Sequence, residues 1–416
     1  NFTVNRRAVS VSGTRLYDAT TNAVASDLST HANLVGSETL NLSGTGTIAS
    51  KNVGSNKTVS VGTLALADGS NGGLAANYTL SGGTHQLTVN QRPLNATLAR
   101  QYDGTTTAAG SDLSSFDALQ GGETLTMTGS GTAASANVAN GIAMSSNGTL
   151  ALADGTGLAS NYSLNSTVIN IAQRVLNSSG SKTYDANTDA LAGAITLSNL
   201  VSGEALNHSG TATIGSANAG SYTITNLSGI SIADGSGGTA SNYTLTGGTH
   251  NFTINQRPLA ATIARQYDGT KTAAGSDLSS FDALQGGETL TLSGSGTVGD
   301  ENVANGQGVT LGSLALVNGT GLASNYSLNS ASLNITKRVL NSSGSKTYDA
   351  NTDALAGAIT LSNLVSGEAL NHSGTATIGS ANAGSYTITN LSGISIADGS
   401  GGTASNYTLT GGTHNF

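Results

Sequence analysis

The 416-residue chain contains no cysteine, so neither disulfide bonds nor thiolate–metal sites can stabilise it. Small secreted domains with little hydrophobic core often depend on such cross-links. Their absence excludes the disulfide-rich class of extracellular domain. Only two prolines are present, Pro93 and Pro258, and tryptophan is absent.

Aromatic residues make up 4% of the chain and charged residues 9%. The formal net charge is −8 and the sequence pI is near 5.1. Of the fifteen basic residues, ten recur at fixed repeat positions, so no basic patch is left for nucleic acid. No apolar run approaches the length of a membrane span. Thr, Ser, Asn and Gly dominate the polar fraction, which favours strands and turns over helices.

One motif organises the sequence: an arginine followed ten residues later by Tyr-Asp. It occurs five times, and successive tyrosines are 85, 82, 83 and 81 residues apart, which indicates a tandem array. The motif residues are Arg7, Tyr17, Asp18, Arg92, Tyr102, Asp103, Arg174, Tyr184, Asp185, Arg257, Tyr267, Asp268, Arg338, Tyr348 and Asp349. The period predicts five modules, at residues 1–90, 91–172, 173–255, 256–336 and 337–416.

Within each module, short runs of alternating apolar and polar residues are separated by clusters of Gly, Asn and Asp. In the third module, residues 194–197, 221–225 and 242–245 are such runs. Alternation with turn signals about every 8–12 residues predicts an all-β fold. After a divergent first module, two module types alternate, and residues 174–252 and 338–416 are identical.

No linker composition separates the modules. The sequence reads as strand on both sides of Arg257, and each proline directly follows a motif arginine. A flexible tether would carry Gly/Ser-rich or charged sequence here. We therefore expect stiff joints and an elongated rod on the order of 170–200 Å long. Both chain ends repeat the internal sequence at 250–253, so we expect a fragment cut from a longer array.

The Tyr-Asp pair is interpreted as structural. The ring is expected to fill the end of a small core with its hydroxyl bound to the backbone, and the aspartate to accept backbone N–H bonds in a turn. The tyrosine of a second repeated pair, Asn-Tyr, is expected to pack likewise, at Tyr78, Tyr162, Tyr243, Tyr326 and Tyr407. The alternative is a surface aromatic that binds sugar.

A basic residue precedes each motif tyrosine by two positions, at Arg15, Arg100, Lys182, Arg265 and Lys346. A glutamate follows it by about twenty, at Glu38, Glu123, Glu204, Glu288 and Glu368. Fixed opposite charges in a charge-poor chain predict pairing with each other or across the module boundary. An intramolecular Lys–Asn isopeptide bond is disfavoured, because three of the five basic residues are arginine.

Metal and catalytic sites are weakly indicated. Asp-Gly turns recur at Asp68, Asp154, Asp234 and Asp398, but each carries one carboxylate where calcium needs six to eight oxygens, so a plain turn is favoured over a calcium site. The histidines lack metal-ligand spacing and are expected to be solvated. A Gly-x-Gly-x-x-Gly match at 294–299 lies in β context without a following helix. Isolated polar positions such as Lys51 and Lys271 are interpreted as drifted surface, and no module carries a unique catalytic set.

Four segments carry a resemblance to a known family. They are Arg-Gln-Tyr-Asp-Gly-Thr at 100–105, Lys-Thr-Tyr-Asp-Ala-Asn-Thr at 182–188, Asn-Ala-Gly-Ser-Tyr-Thr-Ile at 218–224 and Ser-Asn-Tyr-Thr-Leu at 241–245. The chain resembles the YDG/MBG-type repeats of large bacterial surface adhesins, including haemagglutinin-like proteins exported by two-partner secretion. The resemblance implies Ig-like or related β-sandwich modules, located extracellularly or on the bacterial cell surface.

The function expected from sequence is that of a structural stalk or spacer that projects a distal adhesive domain for attachment and biofilm formation. The alternative is a multivalent array that binds carbohydrate or mucin glycans. We expect no enzymatic activity, no cofactor beyond the weak calcium alternative and no nucleic-acid partner. The expected partners are the rest of a longer adhesin chain and extracellular polysaccharide or host glycans, with the chain itself monomeric.

Overall fold

The computed structural model describes all 416 residues, in 43 strands and ten 3-10 helices of three residues each. The predicted all-β fold is confirmed. None of the helices has the length and apolar character needed to cross a lipid bilayer.

The strands of the first two modules are, in chain order, β1 to β10 and β11 to β18. Module 1 contains Arg7–Ala8, Ser10–Leu16, Asn22–Val24, Thr30–Ala32, Leu40–Ser43, Thr45–Ile48, Gly54–Ser60, Ala65–Asp68, Tyr78–Thr79 and Gln86–Asn90. Module 2 contains Arg92–Gln101, Thr107–Ala109, Leu113–Phe116, Leu125–Thr128, Ser130–Ala133, Ala139–Ser146, Ala151–Asp154 and Tyr162–Ala172.

The later modules follow the same order, with β19 to β27, β28 to β35 and β36 to β43. Module 3 contains Arg174–Val175, Asn177–Thr183, Asp189–Leu191, Ile195–Ser198, Leu206–Ile214, Gly220–Asn226, Ile230–Asp234, Tyr243–Thr244 and His250–Asn255. Module 4 contains Arg257–Gln266, Thr272–Ala274, Leu278–Phe281, Leu290–Ser293, Ser295–Thr297, Ala304–Gly308, Ala315–Asn318 and Tyr326–Thr336. Module 5 contains Arg338–Val339, Asn341–Gly344, Asp353–Leu355, Ile359–Ser362, Leu370–Ile378, Ile388–Asn390, Ile394–Asp398 and Tyr407–Thr408.

Two 3-10 helices lie in each module, and the second of each pair directly precedes the Asn-Tyr tyrosine. The ten helices are Ala25–Asp27, Ala75–Asn77, Gly110–Asp112, Ala159–Asn161, Ala192–Ala194, Ala240–Asn242, Gly275–Asp277, Ala323–Asn325, Ala356–Ala358 and Ala404–Asn406.

Module 2 shows the plan of a module most completely. Its main sheet has the order β12-β15-β16-β18-β11-β13, and a separate ribbon pairs β14 with β17. Buried Leu98 and Ile169 from the main sheet and Met127 from the ribbon belong to one core. Alternate side chains of β11 are buried, including Leu94 and Ala96, as period-2 alternation predicts. Modules 1 and 4 have the same separate ribbon, formed by β5 with β8 and by β31 with β34. In modules 3 and 5 the equivalent strands, β25 and β42, pair instead with β23 and β40 of a larger sheet.

The first and last long strands of a module pair in parallel. In module 2, β11 pairs with β18 from Arg92 opposite Tyr162 to Gln101 opposite Ala172. Module 4 repeats this register between β28 and β35, and β2 pairs with β10 in the same sense. Because the two strands are parallel, the chain enters a module at one end and leaves it at the other.

The chain divides into two compact units. The first contains residues 1–177, 197–207 and 232–248, and the second contains 178–196, 208–231 and 249–416. Modules 1 and 2 lie in the first unit, modules 4 and 5 in the second, and parts of module 3 belong to each. One residue separates β10 from β11, and one separates β27 from β28, so the expected lack of a linker holds in each unit.

Candidate functional site: the junctions between modules

Each of the first four motif tyrosines directly follows the long first strand of its module and is buried. The exposed fractions of Tyr17, Tyr102, Tyr184 and Tyr267 are 0%, 5%, 3% and 4%, whereas Tyr348 is 63% exposed. The difference arises because the first four rings pack against the module that follows. The expectation that this ring closes only its own core was therefore incomplete.

We call this contact between consecutive modules a junction. Its first component is a pair of tyrosines packed edge to face, the motif tyrosine of one module and the Asn-Tyr tyrosine of the next. The ring centroids are 5.3, 5.4, 5.2 and 5.5 Å apart in Tyr17–Tyr162, Tyr102–Tyr243, Tyr184–Tyr326 and Tyr267–Tyr407. Such pairs add about 0.5–1.5 kcal/mol to the stability gained by burial. The first two junctions lie within the first unit and the other two within the second.

A glutamate of the following module bridges the two rings. The hydroxyl of Tyr17 donates to Oε1 of Glu123 at 2.6 Å, and that of Tyr162 donates to Oε2 at 2.9 Å. The other three junctions repeat this bridge at 2.5–2.7 Å, through Glu204, Glu288 and Glu368. The hydroxyl of the motif tyrosine thus binds a carboxylate of the next module. The prediction that it binds the backbone is wrong.

A buried asparagine forms the third component. Oδ1 of Asn161 accepts the backbone N–H of Val53 at 2.9 Å, and its Nδ2 donates to Oδ1 of Asn52 at 3.0 Å. The equivalent residues of the later junctions, Asn242, Asn325 and Asn406, make the same two contacts. All four side chains are at most 1% exposed. Because a buried amide without partners is costly, this arrangement fixes how the two modules meet.

The motif arginine ties the two backbones together. Nε of Arg92 donates to the carbonyl oxygen of Tyr17 at 2.8 Å. In the next three junctions a terminal guanidinium nitrogen donates to the equivalent tyrosine carbonyl at 3.3–3.4 Å, from Arg174, Arg257 and Arg338. Each of these three also donates through Nε to a loop carbonyl of its own module. The prediction that the arginine marks the module joint is confirmed.

The predicted pairing of the basic residues with the glutamates is wrong. Each basic residue forms an ion pair with the aspartate three positions later, as in Lys182 with Asp185 at 2.8 Å. The remaining pairs are Arg15–Asp18, Arg100–Asp103, Arg265–Asp268 and Lys346–Asp349. The glutamates instead accept hydrogen bonds from tyrosine hydroxyls. The aspartate pairs with the basic residue because the turn after the strand brings these two side chains together across only three positions.

The Tyr-Asp aspartate also holds the turn that follows. Oδ1 of Asp18 accepts the backbone N–H of Thr20 at 2.9 Å, and Asp103 and Asp268 do the same with Thr105 and Thr270. The predicted role of this aspartate in a turn is confirmed. Lys182 contacts Oδ1 of Asn187 at 2.7 Å without a covalent bond.

The Asp-Gly aspartates position the Asn-Tyr turn. Oδ1 of Asp154 accepts the N–H of Ala159, the first residue of the 3-10 helix, at 2.7 Å. Asp68, Asp234 and Asp398 make the equivalent bond, and the neutral Asn318 makes it in module 4. Because the neutral amide oxygen of Asn318 makes the same hydrogen bond, the turn needs an oxygen acceptor and not a negative charge. These carboxylates therefore have a structural role. No group of three or more His, Asp or Glu residues is placed to hold a metal ion.

The histidines differ from the expected solvated state. His85 is 5% exposed, and His250 is 8% exposed. A ring nitrogen of His85 lies 2.8 Å from the carbonyl oxygen of Leu80, and Nδ1 of His250 lies 2.9 Å from Oγ of Ser178. These rings therefore belong to the interior hydrogen bonding of their modules.

The comparison with protein families decides the identity of the repeats. The YDG domain matches residues 3–87, 84–169, 172–250, 253–333 and 332–414. The chain belongs to the YDG domain family. A search of curated proteins finds no match for it. The five matches confirm the repeat resemblance expected from the Tyr-Asp and Asn-Tyr pairs.

Burial changes the acid–base properties of the YDG junctions. Burial, together with the hydrogen bond to Glu204, raises the pKa of Tyr243 to about 12. Burial also raises the pKa of Tyr162, Tyr184 and Tyr407 to about 12. At Glu123, burial opposes ionisation, but hydrogen bonds from Lys51, Tyr17 and Tyr162 outweigh it and lower the pKa. The carboxylate and both neutral hydroxyls are therefore the stable forms at neutral pH.

Glycine fits closely against valine of the following module at two of the YDG junctions. Gly104 follows Tyr-Asp in module 2 at φ +78°, and a Cβ there would lie 2.9 Å from Cγ1 of Val201 in module 3. Gly269 and Val365 repeat this relation between modules 4 and 5. Modules 1, 3 and 5 carry alanine at this position with φ of 62–64°, at Ala19, Ala186 and Ala350. The two module types thus present differently shaped faces.

Several junction residues were not predicted from the sequence. Lys51, interpreted as drifted surface, donates to Oε1 of Glu123 at 2.6 Å. The repeat pattern predicted no contact between the buried asparagines and their partners Asn52, Asn137, Asn218 and Asn302. The available signal was that the Asn-Tyr asparagine recurs in all five YDG modules although Asn is also abundant in turns.

Proposed function

We propose that this YDG array is the structural stalk or spacer of a bacterial cell-surface or secreted adhesin. It projects a distal adhesive domain for cell–cell or cell–surface attachment and biofilm formation. The observation that carries the proposal is the parallel pairing of the first and last strands of a module, which makes each module a spacer with one entrance and one exit.

The distance between successive junctions supports a length-giving role. Strand β18 begins at Tyr162, in the junction with module 1, and ends at Ala172, one residue before the joint with module 3. At about 3.3 Å per residue, an eleven-residue strand spans roughly 35 Å. Each added module therefore lengthens the array by about one such strand.

The junction chemistry supports stiffness. A junction combines an aromatic pair, a glutamate that accepts hydrogen bonds from two tyrosine hydroxyls, a buried asparagine and an arginine that contacts the preceding backbone. Bending would separate buried polar groups from their partners, which costs about 1–3 kcal/mol for each group. A flexible tether carries none of these penalties.

Force spectroscopy tests the stalk proposal. The full chain, held between a surface and a bead, is expected to resist lengthening at low force and then to unfold in discrete steps. The matched variant Tyr102→Ala, which opens one junction, is expected to lengthen more readily at low force. A wild-type chain that extends smoothly as a flexible tether would contradict the proposal.

The alternative, a multivalent glycan-binding array, would need exposed aromatic surfaces repeated from module to module. The chain has twelve tyrosines, and nine of them are at most 5% exposed, in the core and junctions. Tyr348 alone is largely exposed among the motif tyrosines. Binding of the full chain to a glycan array, with affinity that rises with module number, would favour this alternative.

A further inference from the structure

Each junction brings together a residue from the turn after Tyr-Asp and a loop of the next module. We call the residue that follows Tyr-Asp the exit residue of its module. The residue three positions before the bridging glutamate is the entrance residue of the next module. The four exit–entrance pairs are Ala19–Gln120, Gly104–Val201, Ala186–Gln285 and Gly269–Val365. In these junctions an exit alanine is matched with glutamine, and an exit glycine with valine.

The exit glycines lie close to the entrance valines. A Cβ added to Gly104 would lie 2.9 Å from Cγ1 of Val201 and 3.5 Å from Oε1 of Glu204, which bridges the two junction tyrosines. Gly269 has the same relation to Val365. Carbon atoms in contact are normally about 3.5–4.0 Å apart, and valine has little freedom to rotate about χ1. An alanine at this exit would therefore displace the valine or the glutamate.

The first junction has the reverse arrangement. Its exit residue is Ala19, and the residue after the entrance glutamine is Gly121, whose added Cβ would lie 2.8 Å from Cβ of Ala19. Gly286, the equivalent residue of module 4, has no atom within 4 Å of its added Cβ. In three of the four junctions, a glycine on one module thus leaves room for a side chain on the other.

The backbone at the exit position is similar in all four junctions. The φ angles are 62° at Ala19, 64° at Ala186, 78° at Gly104 and 75° at Gly269. All four lie in the left-handed region, and alanine occupies it in two of them. The residue that faces the exit on the next module, and not the backbone, therefore distinguishes glycine exits from alanine exits.

We propose that the exit and entrance residues determine which module type can follow which. Module 3 combines a valine entrance with an alanine exit, whereas module 2 combines a glutamine entrance with a glycine exit. Two modules of the module 3 type joined directly would set an alanine Cβ against a valine, the contact that glycine avoids in the second junction. The partner that fits an alanine exit is a module with a Gln-Gly entrance. This specificity does not depend on the proposed stalk function.

Amide hydrogen exchange of the full chain tests the match at the second junction. The N–H of Val138 donates to Oδ1 of the buried Asn242, so its exchange rate reports opening of that junction. Gly104→Ala is expected to raise this rate at least about tenfold. The N–H of Val303, which Asn406 accepts in the fourth junction, is the internal control and is expected to keep its rate.

Val201→Ala separates the steric effect from backbone strain at residue 104. In the wild-type chain this substitution leaves a gap and is expected to speed exchange of the Val138 N–H. In the Gly104→Ala chain it removes the clash and is expected to slow that exchange at least about threefold. An effect of the same sign in both chains, or none in the second, would overturn the proposal, because Gly104→Ala would then act through its own backbone.

The third junction tests whether an alanine exit rejects a valine entrance. Gln285→Val places valine opposite Ala186, and the reporter is the Ala219 N–H, which Oδ1 of Asn325 accepts. Gln285→Val is expected to exchange at least about fivefold faster than Gln285→Ala, the control for loss of the glutamine side chain. Adding Ala186→Gly to Gln285→Val is expected to remove this difference. Equal exchange in Gln285→Val and Gln285→Ala would overturn the proposal, because either entrance would then fit module 3.

Discussion

At the scale of single residues, the exposure of the motif tyrosine depends on whether its ring packs against another module of this chain. Tyr267 and Tyr348 occupy the same position of the repeat motif, but Tyr267 directly follows β28 and Tyr348 lies four residues after the end of β37. Tyr267 is 4% exposed and bonds to Glu368, whereas Tyr348 is 63% exposed. A substitution at Tyr348, which is outside a junction, is therefore a control for the same substitution at Tyr267, which is inside one. The contribution of a junction can be measured by comparing one substitution at the two positions.

Tyr267→Ala is expected to lower the free energy of unfolding by about 3–5 kcal/mol, because it removes a buried ring and leaves Glu368 with one hydroxyl partner fewer. Tyr348→Ala is expected to change it by less than about 0.5 kcal/mol. Urea denaturation at a concentration low enough to exclude association measures both. Equal losses would mean that the buried position owes nothing to its junction.

A second residue-scale prediction concerns Gly104. Gly104→Ala forces a side chain into φ +78° and brings its Cβ to 2.9 Å from Val201. Gly141→Ala is the control, since its φ is +66° and no atom lies within 4 Å of the added Cβ. Both share a backbone penalty of about 1–2 kcal/mol, and Gly104→Ala is expected to lose about 1–3 kcal/mol more through the clash. Thermal unfolding of the two variants gives the difference, and equal melting temperatures would argue against steric matching at this junction.

The junction tyrosines also predict alkaline sensitivity. The folded-state pKa of Tyr162 is about 12, and the unfolded value is about 10, so unfolding releases a proton between these pH values. The stability contributed by this residue is therefore complete below pH 10 and is lost as the pH rises towards 12. Unfolding free energies at intervals from pH 9 to 12 measure the slope. Tyr162→Phe is expected to reduce it, and an unchanged slope would exclude this tyrosine as a source.

At the scale of elements, the strands were largely predictable and their partners were not. Alternation at residues 221–225 marked a strand correctly, because a half-buried strand imposes a period of two on its own sequence. The run predicted at 194–197 begins one residue early, since Ala194 ends a 3-10 helix and the strand is Ile195–Ser198. The parallel pairing of β11 with β18 leaves no such mark, since those strands are about seventy residues apart. Charge pairing failed for a different reason. Asp103 is only three residues from Arg100, but whether the two side chains meet depends on the turn that follows the strand, and residue spacing alone does not show the geometry of that turn.

The Asn-Tyr turn is the element that carries most of a junction, and an aspartate holds it. Asp154→Ala removes the acceptor for the N–H of Ala159 and is expected to cost about 1–3 kcal/mol, because Asn161 and Tyr162 lose their fixed position. Asp154→Asn is expected to be within about 0.5 kcal/mol of wild type, since Asn318 makes this bond in module 4.

Chemical denaturation of both Asp154 variants, with and without added calcium, checks this interpretation. Similar stability of wild type and Asp154→Asn in either condition is expected from a hydrogen-bond acceptor. A large calcium-dependent gain that only the aspartate shows would instead indicate a metal site in the turn.

At the scale of the whole molecule, the number of repeats and the absence of linkers were predictable from the sequence. The regular spacing of one motif indicates the number of repeats, and the composition between repeats indicates that linkers are absent. The sequence did not reveal that the motif acts between modules. Tyr17 and its partner Glu123 are 106 residues apart, more than one full repeat, and an internal repeat carries no information on whether a residue faces its own module or the next. Only the contacts distinguish the two.

We propose above that this YDG array is a stiff spacer, with the junctions of each compact unit holding its modules together. Small-angle X-ray scattering of the full chain, at concentrations below any self-association, tests it most directly. Five modules of roughly 35 Å predict a maximum dimension on the order of 170–200 Å and a cross-section profile typical of a rod. A globular scattering curve, with a maximum dimension near that of a compact protein of 416 residues, would contradict the claim.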